Sequence, residues 1–338
     1  MTPRRTLAGL CLAVSATLLA GCATELPQPR PEQPPQTPPP ALDEDRLQRV
    51  LSEVEGTIAQ GDEENDGQRL GPRIMGPAAD TRRAEYALAR ATDGNTSPAP
   101  LITDANVTSV AASDSWPRPA MVITDVPEGE NLPLLLGLVQ PNPRDPYALW
   151  GWVTLFPGIQ LPGMDRIETG SPVLEPDAEG LAATPEQVVD RYVNVFNNGD
   201  DSDFADAFAE DPYRTSSHET TDELSEAIEA AGEASVEAEV GDDGPLALAT
   251  AEGGAIVISE LRSTLTMTRT VPESELTAGG ELAALMEDDE VVGSVSGVSD
   301  VTIAFYVPPA DAEDTTIQPI GATSVLADVN RDDDAAPE

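Results

Sequence analysis

The sequence contains few side chains that could act as nucleophiles, or as acids and bases near neutral pH. Its 338 residues include one histidine, His218, and two cysteines, Cys11 and Cys22. Lysine is absent from the sequence, so all 18 basic residues are arginines. Catalysis at neutral pH would depend on His218 or on a carboxylate whose pKa a pocket had raised by several units. This shortage favours a binding or structural role over an enzymatic one.

His218 lies in the second half of the chain, in the same region as Tyr192, Asp206 and Tyr213. None of them belongs to a catalytic motif, and no G-x-S-x-G string accompanies the histidine. The polar sequence YRTSSHETTDE indicates that His218 is a surface or helix-capping residue. Asp206 is expected on the solvated face of its helix. The sequence therefore assigns no catalytic residue.

The acidic run Asp200, Asp201 and Asp203 is the strongest candidate for a metal site, because Ca²⁺ prefers oxygen ligands. It lacks the glycine at the sixth position and the glutamate at the twelfth position of an EF-hand loop. A solvated turn between helices is the simpler interpretation. We expect no metal ion and no cofactor.

Trp150, Trp152 and Phe156 form the one aromatic group that could bind a ligand. Strand alternation predicts that these three side chains share one face, while Leu149 and Val153 point the other way. Both faces are apolar, so one of them must pack against helices. The aromatic face could belong to the core, or it could line a pocket for a small apolar ligand.

The N-terminus has the composition of an export signal. Arg4 and Arg5 precede an apolar run over residues 7–20, which is too short to span a bilayer. The run ends in Leu-Ala-Gly-Cys, a string that resembles the bacterial lipobox. This resemblance implies that Cys22 is linked to diacylglycerol and becomes the first residue of the mature chain. Cys11 would be removed with the signal, so no disulfide is expected.

Charge and composition narrow the class of protein further. With 18 basic and 61 acidic residues the formal charge is −43, which excludes binding to nucleic acid and docking on membranes through a basic patch. Residues 27–40 include eight prolines and predict an extended tether of roughly 40 Å. The exclusive use of arginine is typical of a high-GC genome and weakly indicates an actinobacterial source. A halophilic origin is the alternative explanation of the acidity.

The hydrophobic pattern predicts helices followed by strands in each half of the chain. Residues 43–60 should form a helix that ends at a Gly61-Asp62 turn, and a second helix should begin near Pro77. The T-P-x-Q string at Thr184 predicts a capped helix start, and a later helix is predicted over residues 221–231. Strands are predicted over residues 102–110, 120–126, 132–139, 149–156, 235–240, 246–250, 256–270, 298–307 and 317–329.

The similar order of elements in the two halves predicts an internal duplication. Placing Gly61 on Gly199 also places Leu70 on Phe208. The sequence FNNGDDSDFADAFAEDPYR, residues 196–214, resembles the NTF2-like (cystatin-like) superfamily, which implies helices packed on a curved antiparallel sheet around a cone-shaped cavity. The whole chain resembles uncharacterised actinobacterial cell-envelope lipoproteins that contain such modules.

We therefore expect an α+β protein with two tandem NTF2-like modules. The expected divisions are a lipoprotein signal peptide (1–21), a proline-rich tether (22–41), a first α+β module (42–168), a linker (169–183), a second NTF2-like module (184–330) and an acidic tail without fixed structure (331–338).

The expected function is that of a non-enzymatic lipoprotein on the outer face of the cell membrane. It would be held there by its lipid anchor and would bind an envelope protein or a small apolar ligand. The alternative is an isomerase or dehydratase that uses an Asp or His218 in the second module, because NTF2-like enzymes place an Asp, a Tyr or a His–Asp pair inside the cone. The resemblance implies Tyr192, Asp206, Tyr213 and His218 as the candidates for that role. A substrate-binding lipoprotein of a transporter would need repeated βαβ units, which the clustered strands do not provide.

Overall fold

The computed structural model describes residues 38–286 and 288–337. The predicted signal peptide, Cys22 and most of the tether lie outside these residues. The helices are α1 (Glu44–Glu64), α2 (Gly76–Ala91), α3 (Pro185–Asn198), α4 (Pro212–Ile228) and α5 (Gly280–Ala284). The strands are β1 (Ala105–Ala112), β2 (Arg118–Thr124), β3 (Leu134–Gln140), β4 (Ala148–Leu155), β5 (Ser171–Pro172), β6 (Gly232–Val240), β7 (Leu246–Ala249), β8 (Ala255–Arg269), β9 (Ser294–Val307) and β10 (Gln318–Asp332).

The ten strands of the described residues form one sheet that folds back on itself. Its order is β5-β1-β2-β3-β4-β10-β9-β8-β6, and β7 also pairs with β8. Neighbouring strands are antiparallel, except that β5 is parallel to β1. Val173, directly after β5, forms a bridge with Leu248 of β7. The path of paired strands is therefore closed through the β5 segment.

Four groups of apolar side chains in the described residues hold the helices and the sheet together, and the smallest of them packs α4 and α5 on β8–β10. A first outer cluster packs α1 and α2 on one face of β1–β4, and a second outer cluster packs α3 on β8 and β9. An inner cluster lies on the opposite face of the strands and draws on both halves of the chain. The inner cluster includes Met121, Leu135, Trp150, Val153, Leu248, Ile256, Ile258, Ala304 and Ile320. The sheet is thus apolar on both faces, as expected when helices cover its outer side.

This arrangement confirms a mixed α+β fold with a largely antiparallel sheet, but it does not confirm two tandem NTF2-like modules. β4 and β10, which were assigned to different modules, pair through Leu155 with Gly321 and through Thr154 with Ala322. The inner cluster also combines side chains from both halves. Strands of the two halves therefore share one sheet and part of one core.

Local signals predicted the starts of α1, α2 and α3 correctly and the start of α4 incorrectly. At α3 the predicted capping box is confirmed, with reciprocal bonds between Thr184 and Gln187. α4 begins at Pro212 rather than near residue 221, because Asp211 caps it by accepting the Arg214 N–H at 2.9 Å. An Asp-Pro pair supplies an N-cap and a proline suited to the first turn, so this signal was present in the sequence.

Two predicted ends of elements are wrong. Gly61 and Asp62 lie within α1, which continues to Glu64 and ends at Asn65 in a left-handed conformation (φ 50°). The C-terminal tail was expected to lack fixed structure from residue 331. Instead β10 runs to Asp332 because its last residues pair with the start of β9.

A buried ion network joins α1 to α2. Arg82 donates to both carboxylate oxygens of Asp62, at 3.0 and 2.8 Å, and to Glu85 at 2.7 Å. It also donates to the Ala99 carbonyl at 2.8 Å, and the Tyr86 hydroxyl donates to Asp62 at 2.6 Å. Asp62 can make these contacts because α1 extends past Gly61. The network fixes the position of α2 relative to α1 and to the loop that precedes β1.

Candidate functional site

An apolar pocket of about 350 Å³ lies between the inner face of β1–β3 and the segment that follows β4. We call it the apolar pocket. Its volume is at the lower end of the range for small-molecule sites. The strand residues that line it are Val107, Ser109, Met121, Ile123, Leu135 and Ile256, and residues 161–164 complete its wall.

Strand alternation directs the wall residues inward. On β2, Met121 and Ile123 pack with the inner cluster, whereas Ala120 and Val122 pack under α1 and α2. On β3, Leu135 follows the same rule and faces inward. Side chains on alternate positions of neighbouring strands therefore form one continuous apolar wall.

Residues 159–164 cover the apolar pocket without regular secondary structure. Leu161 and Met164 are half-buried against the inner cluster. The Gly163 carbonyl accepts the Ala251 N–H at 2.9 Å, which ties the segment to the turn between β7 and β8. A segment held by side-chain packing and isolated hydrogen bonds opens at lower cost than a strand inside a sheet.

Ser109 is the one polar side chain among the described residues that line the apolar pocket. The Ser109 and Ser171 hydroxyls are buried and lie 2.9 Å apart, so they satisfy each other. Thr250, next to Ala251, is also buried, and within the described residues its hydroxyl has no hydrogen-bond partner. The side chains that line the apolar pocket carry no charge. Its interior therefore suits an uncharged group.

Residues 38–323 match a protein family described as a domain of unknown function, DUF8094. The chain belongs to the DUF8094 family. No match was found among curated proteins or among solved structures. The matched region contains every residue that lines the apolar pocket, so the pocket is part of the DUF8094 domain.

The helices in the part of the chain that the structure describes are short or polar. None of its helices is both long and apolar enough to cross a bilayer.

The prediction that Trp150, Trp152 and Phe156 share one face of their strand is wrong, because Trp150 and Trp152 lie on opposite faces of β4. Leu149 pairs with Leu138 and Gly151 pairs with Gly137, so Trp150 is an extra residue in β4. Such a bulge reverses the alternation of the strand. Trp150 consequently joins the inner cluster, while Trp152 packs under α1 and α2.

Phe156 lies just beyond β4 and is half-buried. None of the three aromatic residues is among those that line the apolar pocket. Their role in ligand binding stays a prediction.

His218 lies inside α4, and its ring contacts the end of α3. Its Nε2 is 2.8 Å from the Phe196 carbonyl, and the two rings are 4.9 Å apart. The contact places the imidazole on a carbonyl in the last turn of α3, where a donor satisfies an otherwise free acceptor. This geometry suits a capping histidine. Asp206 is exposed in the 3₁₀ turn Ala205–Ala207.

A buried tyrosine–carboxylate pair lies beside His218. The Tyr192 hydroxyl is 3.1 and 3.2 Å from the two carboxylate oxygens of Asp211. Burial raises the pKa of Asp211, an effect that the cap bond and Arg214 oppose. Burial also raises the pKa of Tyr213, whose ring stacks on Phe196 at 5.9 Å. Sequence analysis named the two tyrosines but overlooked Asp211, although its position before a proline marked it as a cap.

The remaining candidates occupy loops of the DUF8094 domain. Asp200 and Asp201 lie in an exposed 3₁₀ turn, and Asp203 is exposed beside it. Among the described residues, no group of acidic, histidine or cysteine side chains is arranged to hold a metal ion. Trp116 donates to Gln140 at 3.0 Å and anchors the loop between β1 and β2.

Four shielded carboxylates of the domain have raised pKa values, in each case because burial penalises the charged form most strongly. Glu260 is buried in β8, and its carboxylate accepts the Asp243 N–H at 3.0 Å. Burial raises the pKa of Glu85 more than the neighbouring Arg82 lowers it. We refer to the set as the shielded carboxylates: Glu85, Asp211, Glu260 and Asp300.

Proposed function

We propose that this DUF8094 protein is a non-enzymatic, lipid-anchored protein of the cell envelope that binds a small apolar ligand. The observation that carries the proposal is the apolar pocket, whose wall consists of aliphatic and thioether side chains and one satisfied serine. Burying apolar ligand surface there supplies affinity without requiring any group that titrates. A concave apolar site of about 350 Å³ favours a small molecule over a partner protein.

The anchor is supported by sequence. The lipobox-like string at Cys22 lies outside the described residues, and the tether reaches the folded part at Pro40, which bridges Ala112 at the end of β1. The Ala41 N–H also donates to the Ala111 carbonyl at 2.7 Å. The tether therefore joins the fold on the strand that contributes Val107 and Ser109 to the pocket. The proposed location is the outer face of the cell membrane.

An NTF2-like isomerase or dehydratase is the second candidate, and the buried Tyr192–Asp211 pair favours it. A carboxylate with a raised pKa can serve as an acid or base near neutral pH. Asp211 also caps α4, which gives its burial a structural cause. Replacing Asp211 with Asn separates the two roles. Asn caps a helix about as well as Asp, so the variant should stay folded in either case, and only an enzyme would lose turnover.

The proposal is tested by binding of Nile red, an uncharged dye that fluoresces in apolar surroundings. Val107 lines the pocket and is 42% exposed, so Val107→Trp should narrow the pocket without disturbing the core. The matched control is Val240→Trp, on the edge strand β6, where the valine is 44% exposed. We expect the first variant to bind the dye at least several-fold more weakly and the control to bind it normally. Absence of dye binding, or equal binding by both variants, would overturn the proposal.

A further inference from the structure

We propose that the apolar pocket takes a single aliphatic chain, tail first, whose head group is neutral or positively charged and stays at a rim formed by Asp104 and Asp125. This inference rests on the proposed function, because it identifies the class of ligand for the same pocket.

The wall of the pocket favours an aliphatic chain over a planar ring. None of the side chains that line it is aromatic. Met121 and Met164 provide unbranched, adaptable side chains on opposite walls, which can follow a flexible chain. At about 350 Å³ the pocket is close to the smallest volume typical of ligand sites, so it suits one chain rather than several.

The interior cannot hold a charged head group. Ser109 is the polar side chain in the wall, and its hydroxyl is already bonded to Ser171 at 2.9 Å. A charged group placed there would lose its hydration without gaining a partner. The charged or polar end of a ligand must therefore remain outside, and the chain must enter by its apolar end.

The rim lies at the start of β1 and the end of β2. Along β1 the wall changes from the exposed Val107 to the buried Ser109, so the pocket deepens in that direction. Val107 pairs with Ile123, the other wall residue at this end. Beyond this pair the Asp125 N–H donates to the Asp104 carbonyl at 2.8 Å, which holds the two exposed aspartates at the same end of the hairpin.

Electrostatics at this rim select the head group. Asp104 and Asp125 do not line the pocket but are exposed at this end of the hairpin, on a protein whose formal charge is −43. The Asp125 carboxylate also accepts the Asn106 side-chain N–H at 2.9 Å. A fatty-acid carboxylate would be repelled at the rim, whereas a quaternary ammonium or a neutral hydroxyl would not. Because both aspartates face solvent, the preference should be moderate and should weaken as salt is added.

The test uses the purified protein and displacement of bound Nile red by straight-chain compounds. Primary alcohols of about six to sixteen carbons measure the effect of chain length. Affinity should rise about fourfold per methylene until the chain fills the pocket and should then level off. At equal chain length, an alkyltrimethylammonium should bind about fivefold more tightly than the carboxylate at low salt.

Variants at the rim test the head-group preference separately from binding of the chain in the pocket. Asp104→Asn should reduce the preference for the ammonium head, whereas Asp328→Asn, at an exposed aspartate of β10, should leave it unchanged. Displacement of the dye by lysophosphatidylcholine would indicate a membrane lipid as the source of the chain, and displacement by the free alcohols would indicate a soluble compound. Displacement by either one supports the inference. Dye binding without dependence on chain length, or equal affinity for the ammonium and carboxylate heads, would overturn the inference and leave the proposed function intact. Absence of dye binding would instead refute the proposed function.

Discussion

Replacing Arg82 with Met tests whether the buried ion network holds α2 against α1. The Arg82 side chain is 1% exposed, and its partners Asp62 and Glu85 are 34% and 10% exposed. Without the guanidinium, Asp62 can be hydrated from the surface, but Glu85 remains buried and unpaired. Breaking a buried pair in this way costs about 3–5 kcal/mol. We expect Arg82→Met to lower the free energy of unfolding by that amount at neutral pH.

The neighbouring Arg83 provides a matched control. It forms an ion pair with Asp80 at 2.7 Å, and the two side chains are 53% and 51% exposed. An exposed pair contributes about 0–1 kcal/mol, so Arg83→Met should have little effect. Adding Glu85→Leu to Arg82→Met removes the buried, unpaired carboxylate and should recover most of the lost stability.

These differences are measured by urea unfolding of the unmodified protein, the two single variants and the double variant. One slope of unfolding free energy against urea concentration is used for all four proteins. The penalty of Arg82→Met should also shrink as the pH falls, because protonation of Glu85 removes its unpaired charge. If Arg82→Met cost no more than Arg83→Met, the network would not stabilise the fold. If Glu85→Leu gave no recovery in the Arg82→Met background, the penalty would come from lost packing instead of a stranded charge.

Three further predictions follow from the proposed anchor, the shielded carboxylates and the shared sheet. Cys22→Ser should move the protein out of the membrane fraction and abolish labelling by a fatty-acid probe; unchanged retention would contradict the lipid anchor. The shielded carboxylates bind protons more tightly in the folded state, so the melting temperature should fall as pH rises from about 4 through their folded pKa values, and a rise over that interval would refute this assignment. Fragments 42–168 and 180–330 should each lack the unfolding transition of the intact chain, because each loses part of the inner cluster, and independent folding of both would restore the two-module division.

The sequence was most informative where a structural signal is local. The capping box at Thr184 involves residues three apart, and its geometry is the same in any helix, so the start of α3 was predicted correctly. Nine of the ten strands in the described residues were located to within a few residues, because alternation and turn residues mark them in the chain itself. The two-residue strand β5 was not predicted, since it lies in the segment assigned to a linker. The α+β class follows from these elements and is confirmed.

Pairing between distant strands could not be read in the same way. The bridge between Val173 and Leu248, and the pairing of β4 with β10, join residues far apart in sequence. No local pattern encodes such partners, so the similar order of elements in the two halves suggested two separate modules. The register shift at Trp150 could not be predicted locally either, because a bulge depends on the partner strand as much as on the strand that contains it.

The apolar pocket escaped sequence analysis for a related reason. β1–β3 are apolar on both faces, and one sequence pattern describes a face covered by helices as well as a face that borders a cavity. Whether the inner face borders a cavity depends on the segment after β4. Its residues Pro157, Gly158, Pro162 and Gly163 disfavour continuation as a regular helix or strand. A regular strand there would extend the sheet and fill the space above Ser109, whereas the irregular segment crosses over it and leaves a cavity. The pocket therefore results from turn-forming residues that follow an apolar strand, and binding there requires no histidine, cysteine or lysine side chain.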